Sequence, residues 1–145
     1  MFVPELVRRE FAVDASIEEA WDYLAQVERW PSWARHIKRV TLEPAGPLTA
    51  RSAGSFHLRG GVRSTFRMES FEKPTEWQWV GPFLTTKVHY DHRFEPVDPT
   101  HTRLTWIVTA EGPGSGSLGR VFGAIYARNL DRAIPRLQSE IASSR

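Results

Sequence analysis

Three stretches between Val62 and Ala110 alternate apolar and charged residues with a period of two. In 84–96, Leu84, Thr86, Val88, Tyr90, His92 and Phe94 share one parity, and Lys87, His89, Asp91, Arg93 and Glu95 the other. In 102–110, Leu104, Trp106, Val108 and Ala110 oppose Arg103, Thr105, Ile107 and Thr109. In 62–72, Val62, Phe66 and Met68 oppose Arg63, Thr65, Arg67 and Glu69. Successive side chains of a strand point to opposite faces, so these runs predict one wet, charged face and one apolar, aromatic face. That is the pattern of an antiparallel sheet rather than of a parallel sheet covered on both sides. The apolar face needs a cover.

Further extended segments at Leu6–Val13, 37–43, 53–60 and 76–81 bring the expected sheet to about seven strands. The breaks between successive strands carry turn chemistry: "AGP", "RSAG", Gly60-Gly61, "KPT", "GP" and "PVDP". Connections this short predict an antiparallel meander. Between the first and second strands, "DASIEEAWDYLAQ" reads as a helix. Ser16 can cap it, Glu19 can complete a capping box, and Ile17, Ala20, Trp21 and Leu24 share a face. In the following "ERWPSWARHI", Pro31 is expected to redirect the chain into a second helical turn around Ser32–Arg35. Trp33 is expected to anchor that turn to the sheet, with Trp30 sitting more freely.

The cover for the apolar face is "SLGRVFGAIYARNLDRAIPRLQSEIASSR". There Leu118, Val121, Phe122, Ile125, Leu130, Ala133, Ile134, Leu137 and Ile141 keep a helical stripe. Pro135 interrupts it, predicting a kink or a fresh helix start near Asp131–Pro135, and a kink there is a candidate hinge over a cavity. The preceding "EGPGSGSLG", Glu111 to Gly119, reads as a flexible joint, since it lacks the Lys-Ser/Thr of a phosphate loop and the spacing of a dinucleotide fingerprint.

Composition narrows the function classes. The 145 residues suit one domain spanning 1–145, and zero cysteines exclude disulfides, thiolate metal sites and cysteine nucleophiles. Nineteen basic against seventeen acidic residues leave a net charge of +2, with no basic stripe interleaved with aromatics, so no nucleic-acid partner is expected. No long apolar run follows the start, so neither a secretory leader nor membrane insertion is expected, and a cytoplasmic location is. Six Trp, eight Phe and three Tyr supply a large flat apolar area to hide or to offer to a ligand.

The order strand, amphipathic helix with an early Trp, Trp-Pro-x-x-Trp segment, six-strand meander, Gly-rich joint and long final helix resembles the START-like helix-grip superfamily. The nearest likeness is to its polyketide cyclase/dehydratase and lipid-transport (SRPBCC) family. "DASIEEAWDYLAQVERWPSWARHIKRV" and the closing joint and helix carry the resemblance. It implies an α+β helix-grip fold: a curved antiparallel sheet of about seven strands wraps a long C-terminal helix, with two short helices between the first two strands. It also implies a cavity for a small apolar ligand, lipid-like or aromatic and polyketide-like, to be bound or carried. Cyclisation or dehydration of a polyketide-like substrate in that cavity, or a protein-interaction role, are the alternatives.

Parity nominates the cavity wall: Phe56, Phe66 and Met68; Trp77 and Trp79 of "EWQWVG"; Val88, Tyr90 and His92; Trp106 and Val108. The helix adds Phe122, Ile125 and Tyr126. Tyr90 and His92 are the acid–base candidates for the cyclase alternative, one hydroxyl and one imidazole that could meet a ligand carbonyl. "HYDH" is divided by strand geometry, since His89 and Asp91 point outward without a third ligand. No metal and no cofactor is expected.

Overall fold

The computed structural model describes residues 5–113 and 115–144; Gly114, within the joint, lies outside the described residues. Seven strands form one antiparallel sheet in the order β1-β7-β6-β5-β4-β3-β2. They are β1 (Glu5–Val13), β2 (Ile37–Glu43), β3 (Ala53–Leu58), β4 (Arg63–Glu72), β5 (Glu76–Phe83), β6 (Thr86–Asp98) and β7 (His101–Glu111). From β2 to β7 the chain is the expected meander. Only β1 departs from chain order, pairing with β7, so β1 and β2 are opposite edges and the segment between them must cross the sheet.

The sheet curves around its apolar side. Gly54 and Gly81 bring their backbones so close to β2 and β4 that a Cβ would lie 2.0 Å from the Thr41 carbonyl oxygen and 2.1 Å from that of Thr65. Glycine is the residue that permits such bends. Between Met68 and Ser70 the β4–β5 register slips, so the inward parity of Phe66 and Met68 passes to Phe71, opposite Trp77. Two residues expected on the apolar face do not reach it. Val62 and Leu84 sit at hairpin turns, 60% and 73% exposed, and Leu84 has a φ of 56°. Conversely Val80 and Ile107, on the charged face, are buried between the cross-strand neighbours Arg67 and His89, and Arg8 and Asp91.

The helix α1 (Ile17–Leu24) starts at the predicted capping box: the Glu19 N–H donates to Ser16 Oγ (3.2 Å) and the Ser16 N–H to Glu19 Oε1 (3.0 Å). Its Trp21 is 1% exposed and meets Trp77 edge-on at 5.0 Å between ring centroids. A 3₁₀ helix follows at Val27–Ser32. The expected turn at Ser32–Arg35 therefore falls earlier, with Pro31 inside it, because proline needs no N–H where so few backbone bonds are made. Nor is Trp30 free. It is 6% exposed, and its Nε1–H donates to the Leu24 carbonyl at 2.9 Å.

The helix α2 (Ser117–Ser143) runs unbroken through Pro135, which lies on its exposed side. It rests along the edge strand β1, where Arg9 pairs with Asp131 (2.8 Å) and Gln138 Nε2 donates to the Ala12 carbonyl (2.9 Å). Gly119 and Gly123 allow this approach, since a Cβ on either would stand 3.2 Å from Leu6. Their inward position turns Val121 and Ile125 outward, to 58% and 59% exposure, correcting the expected stripe. At the other end, Tyr23 of α1 and Ser32 of the 3₁₀ helix both donate to Glu140 Oε1. All three helical segments are thereby tied together. Burial, helped by that bond, pushes the Tyr23 phenol up to about 12.

Candidate ligand site

Register and burial put Phe56, Phe66, Met68, Trp77, Trp79, Val88, Tyr90, His92, Trp106 and Val108 on the concave face. Phe122 and Tyr126 lean onto it from α2, with ring centroids 6.4 and 5.6 Å from Tyr90. Ile125 does not, for the reason given by the two glycines. The face has two parts with different neighbours.

Under the 3₁₀ helix the aromatic rings pack against one another. Trp30 lies 5.2 Å from Trp33, 5.5 Å from Trp79 and 5.9 Å from Phe56, and Phe66 lies 4.5 Å from Trp79. His92 is inside this group, stacked on Trp77 at 4.9 Å and close to Trp30, Trp79 and Trp106. Burial strips the imidazole of water and pushes its pKa down to about 3, against the weaker opposite pull of the Trp77 and Tyr90 backbones. His92 is neutral at any ordinary pH. Three polar atoms of this group, Trp77 Nε1, Trp106 Nε1 and His92 Nδ1, are buried with no hydrogen-bond partner among the described residues. Two of them are N–H donors.

Toward the start of α2 the packing changes. Phe83 and Phe122 meet at 4.8 Å, and Phe122 stacks on Tyr126 at 5.6 Å. Burial pushes the Tyr90 phenol up, with Tyr126 adding to the rise and a hydrogen bond from Ser64 opposing it; burial alone raises Tyr126. Both therefore keep their protons and can serve as donors. Because α2 follows β1, its principal strand contact is with that edge. Val40, Leu42, Phe56, Leu58 and Met68 on the far side of the concave face stay only partly buried. Beside α2 the concave face thus carries the phenols of Tyr90 and Tyr126, and on its far strands a set of partly buried apolar side chains.

The outer face holds different chemistry. His89 Nδ1 lies 3.1 Å from Glu69 Oε1 and its Nε2 lies 2.9 Å from Glu111 Oε1, while Asp91 pairs with Arg93 at 2.8 Å. Among the described residues no group of three or more His, Asp or Glu is arranged to hold a metal ion. A groove of ≈ 530 Å³ lies at the end of β4–β6, lined by Thr65, Arg67, Val80, Pro82, Leu84 and Lys87 among others. Of the expected wall it includes Phe66 alone.

Sequence reasoning missed Ser64, Phe83 and Trp30. Ser64 shares the parity of Phe66 and was readable; Phe83 lay beyond the predicted strand end. Trp30 carries no local signal, because its role depends on which strands the 3₁₀ helix crosses.

Comparisons with known proteins agree with this architecture. The model of the polyketide cyclase / dehydrase and lipid transport family matches residues 5–138. An uncharacterized protein of Mycobacterium tuberculosis (strain ATCC 25618 / H37Rv) is 27% identical over 126 residues, 79% of this chain and 72% of its own length. Among solved structures, a START superfamily protein from Mycobacterium smegmatis superposes with a TM-score of 0.73 at 14% identity, covering 98% of this chain and 100% of that one. A hypothetical protein from Helicobacter pylori reaches 0.75 at 14%, covering 92% and 86%. A di-domain ARO/CYC from the steffimycin biosynthetic pathway reaches 0.72 at 13%, covering 98% of this chain and 51% of that one. At such identities the structural likeness speaks for the fold, and the family match for more. The chain belongs to the polyketide cyclase / dehydrase and lipid transport family, and with it to proteins that bind or cyclise a small ligand.

Proposed function

We propose that the protein binds and carries a small, largely apolar ligand in a trough between the sheet and α2, without chemistry. The observation behind this reading is the apolar surface that α2 leaves only partly covered: Val40, Leu42, Leu58 and Met68 face the concave side and remain partly buried. Covering such surface is favourable at about 25 cal/mol per Å². The ligand has at least one hydrogen-bond acceptor, to meet the phenols of Tyr90 and Tyr126, which keep their protons.

Binding is favoured over cyclisation by the state of the two acid–base candidates. An imidazole pushed down to about 3 and a phenol pushed above its ordinary value are both far from the neutral range in which proton transfer is efficient. Each can still orient a carbonyl. Native mass spectrometry of protein purified from its host is expected to show a stoichiometric apolar adduct. No adduct, together with no rise in melting temperature across a lipid and aromatic library, would overturn the proposal. For an identified substrate, turnover lost in both Tyr90→Phe and His92→Ala would restore the cyclase reading.

A further inference from the structure

The side of α2 turned away from the sheet carries an uninterrupted pattern of its own. Leu118, Val121 and Ile125 come first, then Arg128, Arg132 and Arg136. At 3.6 residues per turn these six positions fall within about 80° of one another. Val121 and Ile125 are more than half exposed, and all three arginines are exposed. None of the three has an ion pair or hydrogen bond with a described side chain. The acids that could neutralise them are engaged elsewhere: Asp131 turns aside to Arg9, and Glu140 accepts from Tyr23 and Ser32. The β5–β6 turn is bound to the approach of α2. Thr85 and Thr86 donate to the Pro113 carbonyl (3.0 and 3.1 Å), and Phe83 packs on Phe122.

We propose that this face docks on the surface of an anionic lipid bilayer. Val121 and Ile125 seat at the headgroup boundary, and Arg128, Arg132 and Arg136 lie on lipid phosphates. The two halves of the stripe select that partner together. Three cations in a row call for a surface of negative charge, and with a net charge of only +2 the attraction belongs to this face rather than to the whole molecule. Exposed aliphatic residues beside them call for an apolar medium, which a nucleic acid does not offer to valine or isoleucine. Among the described residues no helix is long and apolar enough to cross a membrane, so the contact is peripheral. On the ligand-binding reading, docking would bring the α2 and β5–β6 rim of the trough against lipid, where an apolar cargo could enter; the docking itself does not depend on a cargo.

The test is co-sedimentation of the full chain, without added ligand, with vesicles of equal parts phosphatidylcholine and phosphatidylglycerol and with pure phosphatidylcholine. Binding is expected to the first only. Reversing Arg128, Arg132 and Arg136 to Glu is expected to weaken it on the order of a hundredfold. Val121→Ser with Ile125→Ser is expected to weaken it about tenfold while leaving the melting temperature unchanged. All these positions are exposed, so circular dichroism should report the native fold in every variant. The proposal is overturned if wild-type protein ignores anionic vesicles, or if the triple reversal binds them equally well. It is overturned also if the Ser variants bind undiminished and heparin or an acidic protein competes as well as vesicles, since the patch then reads charge alone.

Discussion

Beneath the 3₁₀ helix, Trp30, Trp33, Phe56, Phe66, Trp77 and Trp79 press ring against ring around a neutral imidazole. Beneath the first half of α2, two phenylalanines and two tyrosines meet in fewer contacts, and the apolar side chains opposite them stay half-buried. One sheet face thus carries a closed half, packed ring on ring, and a more open half whose apolar side chains stay partly buried. The difference follows from what lies on top. A short helix crossing the sheet can drop tryptophans straight onto it. A long helix held to the edge strand by two glycines and an Arg9–Asp131 pair leaves apolar side chains of the far strands β2, β3 and β4 only partly buried.

Three measurements would break or sharpen that contrast. The largest effect is expected from Trp30→Ala, which removes an indole packed against four rings and its bond to the Leu24 carbonyl. Urea unfolding should register a loss of about 3–5 kcal/mol; a loss under about 1 kcal/mol would mean the closed half is not closed.

The next concerns His92. Burial holds its folded pKa at about 3 against an ordinary 6.5, so between those values the unfolded chain takes up a proton that the folded chain refuses. Stability is therefore full above pH 6.5 and falls as the pH drops through that window, with a slope approaching about 1.4 kcal/mol per unit. Several carboxylates held below their ordinary values, Asp98 and Asp131 among them, also cost stability on acidification. The quantity to measure is the difference between wild type and His92→Gln. Parallel pH profiles would show that the imidazole is not sealed in.

The smallest effect is expected in the open half. Tyr126→Phe deletes one hydroxyl with little packing change and should shift unfolding by less than about 1.5 kcal/mol. Its consequence should appear instead as weaker retention of the bound molecule. A stability loss equal to that of Trp30→Ala would merge the two halves into one core.

Much of this was legible before folding. The alternation in β6 and β7, the Ser16–Glu19 box and the glycine turn at Gly60-Gly61 are local signals, each set by residues within a few positions, and each stands where it was read. The failures share a cause. Ile125 and Val121 look like core residues by spacing, and Gly119 and Gly123 look like gaps. The helix turns the glycines inward because only they let its backbone approach Leu6. Trp30 looked loose because its partners, Trp79 and Phe56, are distant in sequence.

The sequence by itself determined the strands and the two α-helices, the alternation of burial in β6 and most of β7, and the family likeness, because period-two alternation, capping and turn residues act over short range. Tertiary structure alone decided which aromatic residues become filler and which line an open surface. That choice depends on where α2 lies across the sheet, a distance fixed by contacts between residues more than a hundred positions apart, such as Arg9 with Asp131.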